Sequence, residues 1–529
     1  MNLLTDAWIQ IACRSGVHRR ISPLQILGDP DDPVAEILAP RADFRGALFE
    51  LLIGLYQTVL APADLDAWWD LWQSPPEMSQ LERAFAPWRN ALQLEGNGPL
   101  FMQDRSVADA DPISIAGLLI DAPGEKTIHD SNDHFIHRDT VRDLCPSCAA
   151  MALLTLQLHA PSGGQGHRVS LRGGGPLTTL RQPLSDQATL WQRIWANVLP
   201  QNALDYPEVT DLAAVLPWLG TIRTSEPKTG VDTTPESVHP LQAYWSMPRR
   251  ILLDFSVRMQ GLCSLCGAQD VDTIRQYRTR NYGVNYSGAW LHPLTPYSHD
   301  SKEEKLPLSI KGQKGGIGYS HWLGLALGNA ERKPEAAQVV RYFSRMAYEL
   351  PKDVGIMRLW CFGYDLDNAK ARAYYDAYLP LYTIPQEVVP AIAEAVKLMI
   401  DLAVEYASLL QKQVKSAHFD RPGEVKGDPA VPQSFWQSTE TGFYAALEKL
   451  MAETSSLDGV TAGVFREWYA LAGRAVVSQF DQWILAAPVE AMKTRRVVQA
   501  RADLLRMLTT TRAAKSIRQR MHSDKEMQA

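Results

Sequence analysis

Long apolar runs are missing from this 529-residue chain. None reaches the length a membrane span needs, and the N-terminus lacks the charged-then-apolar order of a secretory signal. The expectation is a cytoplasmic protein with no membrane partner. Cysteine is scarce as well: there are six, four of them in two CxxC pairs, a usage that suits a reducing compartment better than a disulfide framework. No HExxH, GxSxG, Walker-loop or kinase signature occurs, so the common routes to hydrolysis and phosphoryl transfer have no residues to carry them. Positive charge is not in excess either. The formal net charge is −6, so the chain as a whole does not advertise nucleic-acid binding, although local clusters decide phosphate contact.

What is present is the composition of a soluble globular protein, 46% hydrophobic and 21% charged, with length for two to four domains. Fifteen tryptophans point to large packed surfaces, within the chain or against partners. Short apolar runs broken by Gly16, Pro23 and Gly28 predict a few strands up to about Ala39. Apolar periodicity predicts helices over Ala42 to Leu60, Leu65 to Trp72 and Gln80 to Leu92, and again over Ala149 to Leu158. From Pro385 onward the character changes. Val389, Ile392, Val396, Met399, Ala403, Tyr406 and Leu410 mark one apolar helix face. Further helices are predicted at Phe435 to Met451, Thr461 to Ile484 and Val489 to Met521. The fold class is therefore α+β: a large mixed N-terminal domain with a zinc-stapled region over 1–384, then a C-terminal antiparallel four-helix bundle over 385–529.

The two cysteine pairs are Cys145 with Cys148 and Cys263 with Cys266. The two-residue spacer lets both thiolates of a pair face one metal ion from a tight turn, and two pairs supply the four sulfurs of a closed tetrahedral zinc site. Gly267 behind the second pair helps that turn close. With 114 residues between the pairs, a shared ion would staple remote segments together. Redox dithiols or ordinary buried cysteines are the alternatives; a redox pair is expected to open a helix after a strand, and neither flank reads that way.

Four other stretches have chemistry to offer. Gly163, Gly164, Gln165 and Gly166, followed by Leu171 to Gly175, give backbone that can approach another molecule closely, or a pair of hairpin turns. Arginine, tyrosine and asparagine alternate from Arg275 to Tyr286, as in a nucleic-acid contact strand or a solvated sheet edge. His129, Asp130, His134, His137 and Asp139 form a polar loop that could ligate a metal, so a metal-dependent phosphohydrolase or nuclease is the alternative enzyme reading. The last predicted helix is lopsidedly basic, with Arg495, Arg496, Arg501, Arg512 and Lys515 among its cations, as a helix meeting a polyanion would be.

The order of motifs is distinctive: Asn2 to Ile9, Leu38 to Asp43, Pro99 to Gln103, the first cysteine pair, Leu171 to Thr179, the second pair, and Gly288 to Pro293 ahead of the bundle. Nearly end to end, this resembles the CasA family, large subunits of the type I-E CRISPR surveillance complex Cascade. The resemblance implies a non-catalytic subunit whose partners are guide RNA, other Cascade subunits, double-stranded target DNA and a helicase–nuclease. Such a subunit recognises the protospacer-adjacent motif and promotes strand opening. It further implies that Gly163, Gly164, Gln165 and Gly166 press on the minor groove, where Arg278 or Arg280 also enters, Arg278 being preferred. Asp367 and Asn368 correspond to the wedge of a later hairpin, where the family's familiar pattern has glutamine. Asn132, His134, Phe135 and Arg138 fall in a loop that docks on RNA and backbone subunits, with Phe135 as anchor. The basic last helix would follow the displaced strand.

Overall fold

The helix α1 (Ala42–Leu60) is apolar on nearly every side, and a helix of that kind has to be buried all round. Its three buried polar residues, Asp43, Glu50 and Gln57, recur at seven-residue spacing and so share one side. Each is satisfied there. Asp43 accepts from Arg41 and from the Tyr364 hydroxyl, Glu50 from Arg172 and Thr178, and Gln57 exchanges hydrogen bonds of 2.9 and 2.7 Å with the Leu199 backbone. Burial without such partners would cost roughly 1–3 kcal/mol per group.

The structure is a computed structural model. It describes all residues except 123–128, 130–138, 205, 301–304, 328–333, 352–353, 368–369, 453–456, 487–492 and 527–529; of 457–461 and 522–526 it describes the backbone. There are two compact units, Met1–Lys314 with Lys333–Tyr378 and Gly315–Arg332 with Leu379–Ala529.

The first unit opens with an antiparallel sheet in the order β2-β1-β4-β3, from β1 (Ile9–Cys13), β2 (His18–Ile21), β3 (Gly28–Asp29) and β4 (Asp32–Ile37). Tryptophans then lock two helices together. In α2 (Leu65–Gln73), Trp68 and Trp72 stack at 5.2 Å, and in α5 (Leu190–Trp195), Trp191 and Trp195 stack at 4.9 Å. The indoles of Trp68 and Trp195 each donate to the other residue's carbonyl, so neither N–H is stranded. Helices α3 (Met78–Phe85), α4 (Pro146–His159) and α6 (Gln338–Arg345) complete the layer.

A second antiparallel sheet runs β5-β10-β7, from β5 (Pro112–Ser114), β7 (Arg250–Leu253) and β10 (Gln276–Arg280). Thus β10 is a central strand; of the two readings, the solvated edge is overturned because remote segments pair with it on both sides. A third sheet runs β14-β13-β6, from β6 (Thr178–Pro183), β13 (Met357–Asp367) and β14 (Lys370–Pro380). Two short hairpins remain: β8 (Arg258–Gly261) with β9 (Val271–Ile274), and β11 (Tyr297–Ser298) with β12 (Leu308–Ser309).

The second unit is helical: α7 (Val389–His418), α8 (Ala430–Ala452), α9 (Leu457–Leu485), α10 (Thr494–Met507) and α11 (Arg512–Glu526). Helix α7 packs against all four others, and Ile392, Val396, Met399, Ala403, Tyr406 and Leu410 of its predicted apolar face are buried. Helices α8 and α9 begin earlier than expected. The last predicted helix is two helices, divided at Leu508–Thr511. Threonine side chains compete for backbone groups there, with the Thr511 hydroxyl accepting from Ala514 N at 3.3 Å and Tyr406 donating to Leu508 O at 2.8 Å. The Gly315–Arg332 segment also belongs to this unit: Tyr319 stacks on Phe443 at 4.4 Å and bonds Thr439 at 2.7 Å.

Candidate nucleic-acid interface and metal centre

The two cysteine pairs meet. The first pair opens α4, with Cys145 at the N-cap and Pro146 at the first helical position, where the missing N–H costs nothing. The first pair thus opens a helix, but among the described residues no strand leads into it, so the helix-after-strand pattern of a redox pair is not met. The second pair sits in the turn between β8 and β9, where Gly267 takes φ +70° and its amide returns to Cys263 O at 3.1 Å. Leu144 and Ile274 exchange both backbone hydrogen bonds, at 3.0 and 2.8 Å, and the Ser264 hydroxyl accepts from the amides of Arg142 and Asp143. Those stitches bring four sulfurs within 4.8 Å of one another.

The spacing fits a metal. Cys145 Sγ and Cys266 Sγ lie 3.8 Å apart, whereas a disulfide needs about 2.05 Å. Zinc–sulfur bonds of about 2.3 Å give a tetrahedron whose edge is about 3.8 Å. The Cys145 amide donates to Cys263 Sγ at 3.3 Å. Hydrogen bonds to Cys145 and Cys263, then burial, raise the Cys148 thiol, while the contacts of Cys263 with Cys145 and Cys148 lower that of Cys263. Thiols sharing charge in this way are the donor set that a divalent cation converts to thiolates. The four cysteines lie together and could hold a metal such as zinc.

The far end of α4 leads straight into the glycine loop. There Gly163, Gly164 and Gln165 are exposed, and Gly166 adopts φ +77°. A side chain at 166 would come within 2.9 Å of Asn281 Cβ and 3.0 Å of Tyr282 N, so glycine is required by space as well as by φ. Tyr282 N donates to Gly166 O at 2.8 Å. Asn281 and Tyr282 directly follow β10, so the fold joins the predicted loop to the predicted arginine strand.

The two arginines of β10 differ. Arg278 is 27% exposed and engaged twice, with Asp254 Oδ2 at 2.9 Å and Ala110 O at 2.6 Å. Arg280 is 46% exposed and pairs with Asp109 at 2.7 Å, itself 72% exposed. Leu171 to Gly175, by contrast, is not an approach surface. Arg172 turns into the core to meet Glu50 at 2.5 Å, and the left-handed Gly173 and Gly175 let the chain double back there.

In the third sheet, Asp367 ends β13 and Lys370 begins β14, leaving 368–369 as the link; Asn368 lies outside the described residues. So do Asn132, His134, Phe135 and Arg138 of the expected docking loop. On the bundle, Arg496 donates to Ala417 O and His418 O at 2.9 and 2.7 Å, closing the end of α7, and Arg501 forms a two-point pair with Asp481 at 2.9 and 3.0 Å. Arg495, Arg512 and Lys515 are exposed.

Residues the sequence did not single out hold the loop in place. Arg249 donates to Pro161 O at 2.6 Å and meets His167 Nδ1 at 2.5 Å. Burial, then Arg249, lowers the pKa of His167, which suits an imidazole accepting from a guanidinium. Nothing in the local sequence flags Arg249, because its role depends on residues 82 and 88 positions away.

A family model described as CRISPR-associated protein Cse1 matches residues 2–478. Among solved structures, Thermus thermophilus CasA (Cse1) superposes with a TM-score of 0.68 at 16% identity, over 96% of this chain and 99% of that one. Thermobifida fusca Cse1 gives 0.68 at 16%, over 96% and 97%. A chain of a CRISPR RNA-guided surveillance complex gives 0.61 at 13%, over 92% and 99%. At such identities the superpositions speak for the fold, while the family match spans most of the chain: this protein belongs to the Cse1 family of CRISPR-associated proteins.

Proposed function

We propose that this chain is the large subunit of an RNA-guided surveillance complex, where it reads a short adjacent motif in double-stranded DNA, helps open the duplex and recruits the helicase–nuclease. The observation that carries this reading is the union of the glycine loop with the end of β10, through Tyr282 N and Gly166 O. It sets thin, side-chain-poor backbone beside an exposed guanidinium, a combination suited to the narrow minor groove. Of the two arginines, Arg280 is the one we assign to the groove, since Arg278 is occupied by Asp254 and Ala110 O.

The subunit need not read a long sequence, because guide and target pairing does that; it has to hold a few base pairs and support unstacking that costs a few kcal/mol per step. Asp367 and Asn368 would stand at that step, and Asn132, His134, Phe135 and Arg138 would dock on guide RNA and sister subunits. Arg495, Arg512 and Lys515 would line the displaced strand with Arg496 and Arg501 beside them. The ion on Cys145, Cys148, Cys263 and Cys266 is zinc in this reading, structural because all four donors are protein sulfurs, which leaves no open coordination position for chemistry.

The test uses the complex assembled with guide RNA. Arg280→Ala is expected to weaken binding of motif-containing duplex about tenfold or more while binding to a motif-scrambled duplex changes little; one good groove contact is worth about 1–3 kcal/mol. Equal affinity of variant and parent for the motif duplex would refute the assignment. Nuclease assays of the isolated chain with manganese, magnesium or nickel, compared with His129→Ala, separate this function from a phosphohydrolase.

A further inference from the structure

Tyr282 is an outlier. It bears a large side chain yet sits at φ +62°, one of four non-glycine residues with positive φ among those described. Such a conformation costs energy and persists where the surroundings hold it. Here they do. Its amide donates to Gly166 O at 2.8 Å, its carbonyl accepts from Ser225 N at 3.1 Å, and its hydroxyl accepts from Gln165 Nε2 at 2.9 Å. The Ser225 hydroxyl in turn accepts from Arg168 Nε at 2.7 Å. A hydrogen-bonded circuit therefore runs from Gly166 through Tyr282 and Ser225 back to Arg168, while Arg249 holds Pro161 and His167.

Within that circuit the backbone bonds and the bonds of His167 and Arg168 fix the loop's position, while at its exposed tip one bond governs the side chain of Gln165, that to the Tyr282 hydroxyl. Gln165 is the only member of the loop's Gly163–Gly166 stretch with a side chain able to recognise a base edge. A glutamine free in solvent samples many rotamers and loses entropy on fixing one. Held by Tyr282 it is pre-set. The second amide N–H of Gln165 remains to donate, and the minor groove offers acceptors, adenine N3 and thymine O2.

We infer that Tyr282 is a positioning residue for motif discrimination: it aims Gln165 and ties the glycine loop to the arginine strand. The inference rests on the minor-groove reading proposed above. The assay measures, in the assembled guide-RNA complex, the ratio of affinities for a motif duplex and a motif-scrambled duplex.

Tyr282→Phe removes the hydroxyl and leaves the ring and backbone. It is expected to lower that ratio about two- to tenfold, the range for one net hydrogen bond, with affinity for the scrambled duplex, complex assembly and thermal unfolding unchanged. Gln165→Ala should lower the ratio as well, and the double variant should be no worse than Gln165→Ala alone, since both changes break one interaction. A purely structural tyrosine would move both affinities together and give additive losses, and either result would overturn the inference. If Gln165→Ala or Arg280→Ala lowers the ratio and Tyr282→Phe does not, the positioning role falls and the recognition site stands. If neither Gln165→Ala nor Arg280→Ala affects it, the recognition site falls and the inference with it.

Discussion

Replacing Arg172 by methionine should unfold the first unit more readily than any surface change. The Arg172 guanidinium is almost fully buried and makes three side-chain hydrogen bonds: to Glu50 at 2.5 Å, Thr178 at 2.9 Å and Thr295 at 3.1 Å. Methionine has similar reach and fills most of the space, so little cavity cost is added. What remains is the Glu50 carboxylate, still buried, with the Thr178 hydroxyl at 2.9 Å and His159 Nε2 at 3.1 Å. Breaking a buried pair from one side costs about 3–5 kcal/mol, because the surviving charge keeps its desolvation penalty.

The pH dependence identifies the cause. In the parent, burial acts to raise the Glu50 pKa, but Arg172 and then His159 outweigh it and hold the group below the usual carboxylate range. A depressed folded pKa gives stability that is present above the unfolded value of about 4.3 and is lost as pH falls below it. Without Arg172 burial dominates and the folded pKa rises above the unfolded one. The variant then gains stability by protonating Glu50 as pH falls. The gap between parent and variant should therefore be widest near pH 8 and narrow towards pH 5. Urea denaturation of the full chain at both pH values measures it, and Glu50→Met with Arg172→Met should recover at least half the loss. A loss below about 1 kcal/mol, or one of the same size at pH 5 and pH 8, would refute the reasoning.

Two further outcomes are specific. Lys311 is half-buried, donating to Arg172 O at 2.9 Å and Ser309 at 2.8 Å, and desolvation, then Arg172, pushes its pKa down to about 8. A lysine whose folded pKa lies below its unfolded value near 10.4 releases its proton earlier when folded, so stability should rise between about pH 8 and 10.4. Lys311→Met should abolish that rise, as thermal unfolding across the range would reveal. On the bundle, neutralising exposed Arg495, Arg512 and Lys515 together should reduce the salt slope of single-strand binding by up to about 2, at about 0.7 per phosphate contact. Neutralising Arg501 alone should reduce it less, since Asp481 already engages that guanidinium.

How far the sequence could be read depended on whether a signal was local. Helix α1 begins and ends where its apolar period and Pro62 place it. The cysteine pairs were legible across 114 residues because CxxC spacing has few physical explanations. That the first pair opens a helix was missed: Pro146 reads as a breaker, yet proline is favoured at the first helical position. The break in the last helix is hidden because no glycine or proline stands between Val489 and Met521 to mark it. Strand β10 alternates polar and aromatic residues as an edge strand would, and its central place depends on Pro112–Ser114 and Arg250–Leu253, which no local pattern links to it. Leu171 to Gly175 illustrates the same limit. Glycine richness announces a turn but not whether it faces solvent or, as here, the buried Glu50.

An ion held by the four cysteines would bear unequally on the two segments it joins, and this decides how metal loss would be felt. Twelve of the fourteen residues of α4 are buried, so packing alone holds that helix and the glycine loop at its end. The β8–β9 hairpin has much less of it: in β8 Arg258, Met259 and Gln260 are exposed, as are Val257 and Leu262 beside them. Its ties to the rest are the cysteines, the Leu144–Ile274 bridge, the bonds of Asp143 and Ser264, the buried Thr273 and Ile274, and the ion pair of Arg258 with Glu95. Losing the ion should therefore free the hairpin first, and strand β10 next, since only Arg275 separates it from β9. Hydrogen exchange on Cys263→Ser, or on chelator-treated protein, should show protection lost over 258–274 and weakened over 276–282, with 146–159 retained. Equal loss in α4 would mean that the ion holds both segments. Loss confined to the hairpin, with motif discrimination falling, would mean that the ion acts on the arginine strand and that the loop is set by Tyr282 and Arg249.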